Sequence, residues 1–139
     1  MKKLFLFIYL FSLFSCINKN NEQIKKVIKY PNQTSEMAQL MRDMTNQLEN
    51  IQNKIIRNES LENKQLNFAL IHQQKTTDPA FIKPHIQPMS EAFNYSVEEF
   101  NNKPNKKNYL AIINNCLSCH QLSCPGPIMK IKKLKINLD

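Results

Sequence analysis

Between residues 37 and 55, Met37, Met41, Met44, Leu48, Ile51 and Ile55 form an apolar series spaced 4, 3, 4, 3 and 4. That spacing keeps all six on one stripe of an α-helix. It predicts a helix over residues 35–57, with Thr34 or Ser35 as N-cap and Glu36 in the first turn, where the helix dipole favours a carboxylate. A poorer pattern over 60–72 carries Leu61, Leu66, Phe68, Leu70 and Ile71 and predicts a second helix, broken by Thr76-Thr77-Asp78-Pro79. A third is expected over 85–101, with Ile86, Met89, Phe93, Val97 and Phe100 on one face. Pro88 fits there only in the first turn, whose N–H groups lack intrahelical partners. Asn102-Lys103-Pro104 ends it. Asn105 can then cap a fourth helix over 106–123, which Pro125-Gly126-Pro127 stops.

Four amphipathic helices with short connections predict an all-α fold, an antiparallel four-helix bundle over 35–124. Beyond it, residues 125–139 intersperse apolar residues with Lys130, Lys132, Lys133 and Lys135. Their period lies between strand and helix, so they are expected only as a basic tail lying on the bundle. A core this small is marginal by itself, and small domains commonly recruit a metal or cofactor as extra core.

The N-terminus follows a different pattern. Met1-Lys2-Lys3 is a short positive region, and residues 4–14 are an almost unbroken apolar run ending at Ser15-Cys16. Eleven residues are too few to cross ~30 Å of hydrocarbon as a helix, so the run reads as an export signal over 1–15. Leu13-Phe14-Ser15-Cys16 resembles the lipobox of bacterial lipoproteins. The resemblance implies cleavage before Cys16, lipidation of that cysteine and, with Ile17 following it, an outer-membrane location facing the periplasm. Residues 16–34, rich in Asn, Lys and Gln, would form a tether reaching roughly 25 Å as a flexible chain.

Composition narrows the classes. One glycine (Gly126) against seven prolines disfavours turn-rich sandwiches and barrels, and no Gly-rich phosphate loop can be written. The formal charge is +8, of which Lys2 and Lys3 leave with the signal. A basic surface suits nucleic acid, an acidic protein or an anionic membrane face. Export removes nucleic acid from that set.

The chemistry lies in the fourth helix. Cys116-Leu117-Ser118-Cys119-His120 is C-x-x-C-H, the attachment signature of c-type haem. At helical spacing Cys116, Cys119 and His120 project from one side, so two thiols can form thioethers with porphyrin vinyl groups while the imidazole reaches the iron. Tyr109 and Ile113 extend the same 4, 3, 4 stripe to Cys116 and His120. Other readings compete. A thioredoxin-type motif wants a preceding strand. A zinc or iron–sulfur site could use Cys116, Cys119, His120 and Cys124, but no second cysteine pair exists. A disulfide between Cys116 and Cys119 would be strained within one helical turn.

A haem motif in the last helix of a four-helix bundle resembles cytochrome c′ and its relatives. The likeness is closer to cytochrome c′-like lipoproteins of Bacteroidetes, whose C-termini read much like Asn115-Cys116-Leu117-Ser118-Cys119-His120 followed by Cys124-Pro125-Gly126-Pro127-Ile128. It covers about residues 36–136. The resemblance implies one covalent haem c, held by Cys116 and Cys119 with His120 as proximal iron ligand, and electron transfer or gas binding. Met41-Arg42-Asp43-Met44-Thr45-Asn46-Gln47-Leu48 resembles the first-helix segment of b-type relatives that ligate iron through methionine, with Met41 at the ligand position and Met44 the alternative. The same stripe also reads as plain core, since Met fills irregular gaps. His72 and His85 are outside candidates for a bis-His site. Cys124 reads as a thiol near the proximal pocket, an intermolecular disulfide or a buried free cysteine. Electron transfer is the leading expectation, with an acidic redox protein as partner and the membrane engaged through the lipid; a homodimer stays open. Sensing or scavenging NO or CO comes second, and a structural or metal-binding lipoprotein third. No acid–base pair suggests enzymatic turnover.

Overall fold

The structure, a computed structural model, describes residues 33–137. The expected signal peptide, the lipidated Cys16 and nearly all of the tether lie outside them. The described chain is all-α: helices α1 (Glu36–Ile56), α2 (Ile86–Asn102), α3 (Lys106–Ser123) and α4 (Ile128–Lys133), with 3-10 turns at Ile71–Gln73 and Pro79–Phe81 and no strand among the described residues.

Local chemistry explains the helix ends. Ser35 caps α1 by accepting from the Ala38 N–H at 3.3 Å. Asn58 ends it in the left-handed region, at φ 53°. Its N–H donates to the Ile55 carbonyl at 3.1 Å and that of Glu59 to the Lys54 carbonyl at 2.9 Å, a Schellman closure with Asn taking the usual place of glycine. Pro88 sits in the first turn of α2. Asn105 caps α3 through the Asn108 N–H at 2.9 Å.

The helix expected over 60–72 is absent. Leu66, Phe68 and Leu70 turn inward while Asn67 and Ala69 face solvent, the two-residue alternation of an extended chain. Its backbone partners come partly from one side chain. Asn101 accepts from the Leu66 N–H through Oδ1 and donates to the Leu66 carbonyl through Nδ2, both at 2.8 Å. Leu66 is buried, so Asn101→Ala leaves two polar groups without partners. The expected cost is about 1–3 kcal/mol, read as a lower urea midpoint with an unchanged m-value.

The tail beyond Pro127, whose period the sequence left open, packs on the core. It forms a short helix, α4, whose Ile131 joins the core together with Leu134 just beyond its end. The Tyr109 hydroxyl, fully buried on α3, donates to the Leu134 carbonyl at 2.9 Å and lies 3.4 Å from the Leu48 carbonyl of α1. One aromatic ring thus ties α1, α3 and the C-terminal segment. Leu48 and Ile51, Val97 and Phe100, and Ile112 and Ile113 share that core. By backbone approach α2 packs on α3 and α4 on α3; no comparably close approach joins α1 to another helix among the described residues. The first half of α1 stands back from α3, and a cavity fills the gap.

Candidate haem-attachment site

The cavity has a volume of about 680 Å³, within the ~300–1,000 Å³ range of small-molecule and cofactor sites. From α1 it takes Met37, Met41 and Met44; from α3, Cys116, Cys119 and His120; its floor is Ile131 and Leu134. The 4, 3 spacing of the methionines and the 3, 1 spacing of the motif each select one helix face, and the fold sets those two faces opposite each other. Met41 is half-buried and faces the cavity, whereas Met44 is almost fully buried and also belongs to the core.

Both thiols are free, as is that of Cys124. Burial, helped by the neighbouring Cys119, pushes the Cys116 thiol up to about 12. Burial also raises Cys119, against a hydrogen bond with Ser123 that lowers it. Both are therefore protonated at neutral pH, and a protonated thiol is slow to oxidise or exchange. A thiol is the form that adds across a vinyl group without an oxidant.

His120 is oriented by its own chain. Its Nδ1 lies 2.9 Å from the Cys124 carbonyl oxygen. A carbonyl only accepts, so Nδ1 carries the proton and Nε2 is left with its lone pair. This is the usual arrangement of a metal-binding histidine, whose second nitrogen donates to a carbonyl or carboxylate.

The other histidines have different duties. His85 bonds through Nε2 to Ser123 Oγ at 2.6 Å, joining the start of α2 to the end of α3. His72 Nδ1 meets Ser90 Oγ at 3.1 Å. Neither lines the cavity, which removes the geometry a bis-His site needs. Cys124 does line it, with its carbonyl on His120. Among the described residues no three His, Cys, Asp or Glu side chains converge as a group able to hold a bare metal ion.

Several lining residues escape a reading of the sequence. Phe81 and Thr76, from the loop before α2, reach the cavity, and so do Arg42 and Lys130 from α1 and α4. Phe81 is flagged by nothing in the local pattern, and Arg42 lies off the apolar stripe of α1 and is exposed. No described helix is long and apolar enough to cross a membrane. No known family model matches the chain, and none of the curated proteins or solved structures compared with it is similar to it.

Proposed function

We propose that this chain is a lipid-anchored periplasmic c-type cytochrome, a variant of the cytochrome c′-like four-helix class in which an extended segment replaces the regular second helix. One observation carries the reading: two protonated thiols and an imidazole with a free Nε2 share the wall of an apolar cavity large enough for a porphyrin, with a methionine stripe opposite. Those residues fit the group. Cys116 and Cys119 would hold it by thioethers, His120 by Nε2, and Met41, which lines the cavity from α1, would be the candidate second donor.

Haem supplies a one-electron iron couple when bound. The chain does the rest. The bond to the Cys124 carbonyl would hold the His120 ring in one orientation toward the iron. The apolar walls exclude water and limit reorganisation around the site. The basic surface steers an acidic partner by long-range attraction, a rate effect that weakens with salt. Without a donor from α1, the same cavity would admit small neutral gases, which is the second reading. It is favoured by one feature alone, the partial exposure of Met41.

The test is the haem itself. Full-length protein expressed with a haem-attachment system should give a c-type pyridine haemochrome spectrum, with the haem still on the chain after denaturation. A folded protein without haem would return the cysteines to the metal and structural readings.

A further inference from the structure

We propose that Pro125 is a positioning residue for His120, acting through the Cys124 carbonyl. The residue before a proline is pushed out of the α region, and Cys124 accordingly lies at φ −150°, ψ 84° although α3 runs up to Ser123. In a continuing helix the Cys124 carbonyl would point along the axis, away from the side chains of the previous turn. The extended conformation swings it back toward the imidazole. A reciprocal pair results: the Cys124 N–H donates to the His120 carbonyl at 3.0 Å, and His120 Nδ1–H donates to the Cys124 carbonyl at 2.9 Å.

The pair fixes two properties. The ring cannot rotate without losing its acceptor. The proton is held on Nδ1; without that acceptor it could occupy Nε2, the nitrogen the iron must use. An Nδ1–H bonded to a carbonyl also makes the imidazole a stronger donor, which stabilises the ferric over the ferrous state. This last consequence rests on the haem reading; the tautomer does not. Pro125 itself is exposed, so the role assigned to it is conformational.

The experiment uses the full chain in four forms: wild type, Pro125→Ala, Pro125→Ser and the control Gly126→Ala. Gly126 is not in the left-handed region and a Cβ there meets nothing within 4 Å, so the control alters the same turn while keeping the pre-proline constraint. Two proline variants guard against one of them unsettling α4. Long-range ¹H–¹⁵N NMR of haem-free protein, above the histidine pKa, should show His120 as Nδ1–H in wild type and control. The proline variants should move toward Nε2–H. In the haem-loaded proteins, equilibration with a fixed redox mediator should shift the proline variants toward the reduced form, because the weaker imidazole donor stabilises the ferric state less. An Nε2–H wild type overturns the proposal, as do folded proline variants unchanged in both readouts or a control that shifts as far as they do. Failure of the haem reading is separately visible: Nδ1–H persists in the wild type while no covalent haem is found.

Discussion

Replacing both Cys116 and Cys119 with alanine should abolish covalent haem and make the protein's stability depend on haem concentration. The wild-type cavity lies between the first half of α1 and the motif face of α3, where no close helix–helix approach closes the gap. Covalently attached haem would fill it permanently, so the wild-type melting temperature should ignore added haem. The double variant keeps only His120 and the cavity walls. Its gain follows mass action, about 2.7 kcal/mol at a hundredfold excess over Kd, seen as a melting temperature that climbs with haem. Each single variant should keep at most one thioether and accumulate poorly. Acidified organic solvent should extract all haem from the double variant and none from the wild type. Equal retention in the two would remove the thiols from the attachment chemistry.

The site was far more legible in the sequence than the segment that helps to enclose it. The methionine stripe of α1 and the Cys116–His120 motif each obey helical spacing, and spacing is a local property that the fold has no reason to disturb. The extended stretch 64–70 is different. Leu66, Phe68 and Leu70 alternate, a strand-like period that a helical reading of the window passes over, and its backbone is answered by Asn101, thirty-five residues away. Neither Asn101 nor its partner is conspicuous in the chain. Asn58 and Asn63 both have positive φ, at 53° and 59°, so two asparagines do work that the shortage of glycine seemed to forbid. Lysines obscured the period of α4, where burial of Ile131 and Leu134 against α3 decided for helix. The tie between His120 and Cys124 was invisible for another reason. The spacing suggested a thiol near the pocket, whereas the atom the ring needs is the backbone oxygen, aimed by the proline that follows.

Met41→Ala should convert a low-spin, six-coordinate iron into a high-spin one that binds CO, while Met44→Ala should not. The two methionines are neighbours on the same stripe but differ in surroundings. Met44 is 4% exposed and belongs to the core shared with Leu48 and Val97, so its truncation costs about 2–5 kcal/mol of stability. Met41 is half-buried with cavity beside it, so less packing is lost there and the expected change is electronic. Methionine and histidine together raise the potential of a haem iron and keep it closed to exogenous ligands; removing the thioether should lower the potential and open the site. Optical and EPR spectra of the wild type and both variants, with and without CO, separate the cases. A wild type that is already high-spin and takes up CO at once would make Met41 part of the wall and the cavity a gas-binding chamber. A spin change in Met44→Ala alone would move the ligand one turn along α1 while leaving electron transfer intact.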